Sequence, residues 1–162
     1  VGNISGDTVT ITADGGKLTT QAGSTISGTD SVTTSSQSGD IEGTISGNTV
    51  SVKATNDLIT KANSKIEAKT GEANITSATG TIGGTISGNI VSVTATDSLT
   101  TQASSSITSN KGKTTLTANN SEIAGSINAT DVTLNTTGTL TTVAGSKIEA
   151  ASGTLVINAK DA

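Results

Sequence analysis

The residues best suited to carry chemistry in this chain are asparagines in Asn-x-Ser/Thr triplets, the acceptor pattern for N-linked sugars. Five such triplets begin at Asn3, Asn74, Asn119, Asn128 and Asn135. Roughly four are expected by chance in a chain so rich in Ser and Thr, so their number is not informative. Their placement is, because all except Asn119 adjoin an aliphatic residue that we expect to point inward. Alternation then directs these asparagines outward, where a sugar could be attached.

Catalytic chemistry is hard to assemble from the other side chains. The chain has no His, Cys or Arg, so it lacks the usual bases, thiol nucleophiles and phosphate clamps. Its 13 acidic residues lie mostly at predicted corners, but acidic sites that cleave polysaccharides also use aromatic platforms, and Phe, Tyr and Trp are absent. The Gly-Gly-x-Gly-x-Asp nonapeptide of calcium-binding rolls is missing too. We therefore predict no enzyme and no catalytic, cofactor or metal site.

Composition also restricts the core and the partners. Without aromatic residues, Met or Cys, the core must be narrow and built from Ile, Val, Leu and Ala. The net charge is −4 and the nine Lys are scattered singly, so no basic stripe exists for nucleic acid.

The elements that would position these residues repeat every 41 residues. Gly2, Ile4 and Val9 each recur at that interval throughout the chain. We divide a single segment, 1–162, into repeats 2–42, 43–83, 84–124 and 125–162. One spare residue within Asp14–Lys17 is offset by one missing near Ser27–Thr29. Stacked units that share one continuous core explain a fixed period.

Alternation within a repeat predicts short strands. Inward Val50, Val52 and Ala54 alternate with Ser51 and Lys53. The same pattern continues through inward Leu58, Thr60, Ala62, Ile66, Ala68, Ala73, Ile75, Ile82 and Gly84, and in the last repeat we take Val156 as inward. Six strands per 41 residues indicate three strands per coil and two coils per repeat. The fold class is therefore all-β, a parallel β-helix of about eight coils and roughly 38 Å in length.

Two residue columns follow from this division. An aliphatic column is predicted to contain Ile4, Ile45, Ile66, Ile86, Ile107, Ile127 and Ile148. An inward hydroxyl column, Thr20, Thr60, Thr101 and Thr142, must bond to backbone or to itself, because an unpaired buried hydroxyl costs about 1–3 kcal/mol. The corners Gly6-Asp7, Gly47-Asn48 and Gly88-Asn89 suggest positive φ, and Ala129-Thr130 should change the corner in the fourth repeat.

Three other interpretations are less consistent with the sequence. Disorder gives no reason for period-two aliphatic runs at a fixed repeat. A β-sandwich would not explain one unbroken repeat. An ice-binding face is disfavoured because its outward columns, Thr10, Ser51, Ser92, Thr133 and Thr12, Lys53, Thr94, Asn135, vary in charge and size.

The wording of the repeats resembles a known family. The blocks ISGNTVSV, TATDSLTTQA, GEANITSATGTIGGTISGN and GTLTTVAGSKIEAASGTLVINAKDA are similar to the repeat region of the high-molecular-weight adhesins of nontypeable Haemophilus, which are filamentous-haemagglutinin-like exoproteins. The resemblance covers essentially the whole chain. It implies a right-handed β-helix at the bacterial surface, exported through an outer-membrane two-partner-secretion transporter. It also implies that a cytoplasmic Asn-glycosyltransferase adds hexoses at Asn3, Asn74, Asn119, Asn128 and Asn135.

We expect the chain to be a shaft segment of a surface adhesin that attaches to host cells. Family members add an N-terminal secretion domain and a Cys-containing anchoring region, so we expect a fragment of a longer passenger. The alternatives are direct binding of a host glycan or protein, or self-association through a lateral face. We also expect the terminal coils to be the least protected, and any self-association to stack coils end to end.

Overall fold

The protein is an all-β solenoid in a computed structural model that describes residues 2–162. Its strands are β1 (Asn3–Thr20), β2 (Thr25–Ile41), β3 (Thr44–Gly47), β4 (Thr49–Ala54), β5 (Asp57–Thr60), β6 (Lys65–Ala68), β7 (Glu72–Ile82), β8 (Thr85–Gly88), β9 (Ile90–Thr101), β10 (Ser106–Ser109), β11 (Lys113–Ala118), β12 (Asn120–Ile123), β13 (Ser126–Ala129), β14 (Asp131–Thr142), β15 (Lys147–Ala150) and β16 (Leu155–Asp161). The described residues include no helix, and hence none long and apolar enough to cross a membrane.

The strands form about eight stacked coils of about 21 residues, as predicted. Each coil contributes a segment to three parallel faces. Face A contains β3, β6, β8, β10, β13 and β15 with the starts of β1 and β2. Face B contains β4, β11 and β16 with the adjoining parts of the long strands. Face C contains β5 and β12 with the ends of β1, β2, β7, β9 and β14.

The predicted aliphatic column is confirmed by the pairing of face A. Each predicted member pairs with the isoleucine of the next coil, and Ile26 fills the second coil. Its members from Ile45 to Ile127 are at most 1% exposed. Ile4 is 49% exposed and Ile148 only partly buried, because the first and last described coils have a stacked neighbour on one side only.

The inward assignments hold along most of the chain and fail at two positions. Val52 is buried and Lys53 exposed, as alternation requires. Ala62, in contrast, is exposed because it lies in a turn. Val156 points outward, since it pairs with the outward Thr133, whereas its neighbours Leu155 and Ile157 pair with buried Val132 and Leu134.

Positive φ at the Gly-Asx corners was a wrong prediction. The described residues with positive φ are Gly15, Gly23 and Gly145. Glycine is favoured at Gly47 because a Cβ there would lie 2.7 Å from the carbonyl oxygen of Thr49. Ala129 occupies the equivalent place with the same single residue between strands, so the φ change expected at that corner is absent.

The compensated insertion is visible in the pairing of β1 with β2. Ala13 pairs with Ser36 and Lys17 with Ser38, so three residues of β1 oppose one of β2. Gly15, with φ +69°, lies in this bulge. The register has recovered by Thr20, which pairs with Ile41, so the bulge leaves the core columns in step.

Candidate functional site

The five candidate glycosylation asparagines lie on the outside of the solenoid and are spread along it. Asn3 and Asn128 lie on face A, and Asn74 and Asn135 lie on face B. Asn119 is at the corner between β11 and β12. Asn3, Asn74 and Asn119 are exposed and the other two are half-buried, so the outward orientation predicted from alternation is confirmed.

These asparagines differ in how their side chains are bonded. The Asn119 Oδ1 accepts a hydrogen bond from the Thr137 hydroxyl at 2.9 Å. The Asn135 Oδ1 accepts one from the Asn158 Nδ2, also at 2.9 Å. Asn74 makes no side-chain hydrogen bond to the described residues, and in register it is flanked by Ser51 and Ser92. A sugar at Asn74 would therefore displace no protein contact.

Face B presents two outward polar columns. In order of coil, the first is Thr10, Thr33, Ser51, Asn74, Ser92, Thr115, Thr133, Val156, and the second is Thr12, Ser35, Lys53, Thr76, Thr94, Thr117, Asn135, Asn158. Hydroxyls dominate the intermediate coils as well, but Lys53 and the aliphatic Val156 interrupt the pattern. This face is hydroxyl-rich without being a repeated lattice.

Face C carries two acidic residues in contrasting surroundings. The Asp40 carboxylate lies between two lysines of neighbouring coils, 3.2 Å from the Lys17 Nζ and 3.5 Å from the Lys61 Nζ. Glu122, in the same outward column four coils later, pairs in register with Thr100 and Thr141 and forms no ion pair with any described residue. Its carboxylate is left available to a ligand.

A shallow groove of about 310 Å³ surrounds Glu122. Besides Leu99 and Ser121, it is lined by outward Ser98, Thr100, Asn120, Glu122, Thr139 and Thr141. The Asn120 Oδ1 accepts the Thr139 N–H at 3.1 Å, which fixes that amide. Sequence analysis missed this group because its residues come from three coils about 20 residues apart, and only the pairing register brings them together.

The hollow at the start of the solenoid is part of the core rather than a separate site. It measures about 420 Å³ and its apolar walls are Ile4, Ile11, Leu18 and Ile26. These are inward residues of the first two coils. No group of three or more acidic, His or Cys side chains that could hold a metal ion is found within residues 2–162.

Comparison with protein-family models, with curated proteins and with solved structures finds no match to this chain.

Proposed function

We propose that this chain is a segment of the shaft of a bacterial cell-surface adhesin, where it gives reach and carries other parts of the molecule toward host cells. The observation that supports this most directly is that one register of side-chain columns runs through all eight coils, apolar inside and rich in hydroxyls outside. Such a rod lengthens by local addition of coils, since each coil needs only its neighbours.

Export by two-partner secretion is part of the proposal. Its support is the resemblance to the high-molecular-weight adhesins, together with features that suit passage of an unfolded chain. The chain has no Cys, so no disulfide can form before translocation. Parallel pairing between adjacent coils lets the chain wind coil by coil outside an outer-membrane transporter.

We also propose that a cytoplasmic Asn-glycosyltransferase modifies the outward asparagines. Asn74 is the site we favour for highest occupancy, because its side chain is exposed and free of bonds to the described residues. Asn119 and Asn135 would each lose a cross-coil hydrogen bond. Asn74→Gln should remove more sugar from the chain than Asn135→Gln when both are expressed with the transferase, as intact mass would measure.

Reach is tested by placing this chain between a surface anchor and a binding domain of known ligand on a bacterium. Capture of ligand held behind a polymer brush should improve when repeat 84–124 is duplicated. The gain should vanish with Val93→Asp, which breaks the core, and persist with Thr94→Asp on the outer surface. Equal capture by the single and duplicated forms would contradict the shaft.

Direct binding of a host glycan is the second candidate, and the groove around Glu122 favours it. An unpaired carboxylate beside an amide and several hydroxyls offers hydrogen bonds that sugar diols accept and donate. A glycan array on this chain, with Glu122→Gln as the matched control, tests it. Binding that Glu122→Gln removes would favour this function over a passive shaft.

A further inference from the structure

The bulge in the first coil places a reactive dipeptide outside the ladder. Asp14 is the only Asp or Asn of the chain that is followed by glycine. Asp14 and Gly15 are both exposed. The pairing of β1 with β2 passes from Ala13 directly to Lys17, so neither residue has a partner in the neighbouring coil. A Cβ built on Gly15 would meet no atom within 4 Å, so the space around this peptide is open.

We propose that Asp14-Gly15 is a site of spontaneous isoaspartate formation in the folded protein. The chemistry needs the backbone nitrogen of the following residue to approach the aspartate side chain. Glycine permits that approach because it has no Cβ and adopts a wide range of φ. The other exposed aspartates lack this freedom. Asp97, for example, precedes Ser98, which is held in register with Thr79 and Asn120 on both sides.

The reaction balances with water as the only co-reactant. The Gly15 nitrogen attacks the Asp14 Cγ, a C–N bond forms, and the carboxyl loses one oxygen as water to give a cyclic succinimide. Water then adds to the former backbone carbonyl carbon of Asp14, whose bond to the Gly15 nitrogen breaks. The chain now continues through the side-chain carbon, the old backbone carbonyl has become the free carboxylate, and no atom is oxidised or reduced.

The fold should accept the product. Isoaspartate adds one methylene to the main chain, and this bulge already holds more residues than the opposite strand. The register has recovered by Thr20, so the added length need not reach the core columns.

Ageing the purified chain at neutral pH and 37 °C tests the proposal. Peptide mapping with electron-transfer fragmentation should find more isoaspartate at residue 14 than at the other aspartates together. Asp14→Glu, which keeps the charge but requires a less favoured six-membered ring, should abolish the signal. The same ageing in urea reports the intrinsic rate of the unfolded chain. Isoaspartate at residue 14 in urea but not in the folded protein, or equal amounts at Asp14 and Asp97 in the folded protein, would overturn it.

Discussion

Buried threonines make the internal surface of this solenoid more than an apolar filling. Thr20, Thr60 and Thr101 are at most 6% exposed, and each hydroxyl accepts backbone N–H groups from the next coil. The Thr101 Oγ1 accepts from Ala124 at 3.1 Å and from Gly125 at 3.3 Å. Ala124 also donates to the Thr101 carbonyl, but the Gly125 N–H has no other acceptor among the described residues. The predicted hydroxyl column therefore satisfies donors that the turn leaves unpaired.

Two other buried threonines lack this compensation. The hydroxyls of Thr34 and Thr114 have no hydrogen-bond partner among the described residues, and both side chains are fully buried. Thr114 lies in register between Val91 and Val132. An unpaired hydroxyl surrounded by aliphatic groups contributes desolvation cost without a bond.

Matched Thr→Val substitutions should thus have opposite signs. Thr114→Val should raise the free energy of unfolding by about 1 kcal/mol, because it removes an unsatisfied group at nearly constant volume. Thr101→Val should lower it by about 1–3 kcal/mol, because the buried Gly125 N–H loses its acceptor. Urea titration of both variants checks this. Stabilisation by both would mean that the Thr101 contacts contribute nothing.

A charge test separates the inside from the outside of one strand. Val52→Asp puts an unpaired carboxylate at a site only 2% exposed and should cost about 4 kcal/mol or more. Lys53→Asp on the outer surface should stay within about 0.5 kcal/mol of the parent. Thermal melting distinguishes them. Equal shifts would remove the inward and outward assignment of β4.

At the scale of elements, one recurrent turn explains the most regular glycine of the sequence. In residues 61–64 the Ser64 N–H donates to the Lys61 carbonyl at 3.0 Å, and the same bond recurs at 21–24, 102–105 and 143–146. The following coil passes over this turn at Gly43, Gly84 or Gly125. A Cβ at Gly84 would overlap the Ser64 Oγ and the carbonyl oxygens of Ser64 and Lys61. The 41-residue glycine is therefore a contact between coils.

Gly2 supplies a control within the same column. Nothing lies within 4 Å of a Cβ built on Gly2. Gly84→Ala should lower the free energy of unfolding by about 1–3 kcal/mol through overpacking, whereas Gly2→Ala should leave it nearly unchanged. Chemical denaturation measures the two. A destabilised Gly2→Ala with a neutral Gly84→Ala would exclude close approach of the coils as the cause.

Sequence alone predicts the parts of this fold that depend on alternation. Val50, Val52 and Ala54 alternate with polar residues, so their burial could be predicted. Leu155, Val156 and Ile157 are consecutive apolar residues, so the pattern carries no parity and Val156 was placed wrongly. Glycine at Gly47 serves the close approach of a backbone oxygen, which composition cannot distinguish from a need for positive φ. The groove around Glu122 required the register of three coils.

At the scale of the whole molecule, the depth of burial predicts a gradient of local stability. Coils in the middle have a neighbour on both sides, while residues 2–20 and 147–162 are largely exposed or half-buried. Amide exchange should be slowest across 44–123 and fastest in these two terminal stretches. Exchange protection that is uniform along the chain would contradict an axially stacked core and favour a role for lateral contacts.

Exposed core residues also predict how copies of this chain associate. Leu155 and Ile157 belong to inward columns but are 43% and 46% exposed, so the last described coil offers an apolar surface. Concentration-dependent assembly should disappear with Ile157→Asp and persist with Val156→Asp, because Val156 points outward. Sedimentation velocity measures this. Assembly lost only in Val156→Asp would indicate a lateral face.

The central claim is that one 41-residue repeat equals two coils of added length. Duplicating repeat 84–124 and comparing the parent and the longer chain by small-angle X-ray scattering tests it most directly. Two coils stacked about 4.8 Å apart predict a maximum dimension greater by about 10 Å with an unchanged cross-sectional radius. A thicker particle of unchanged length would contradict the account.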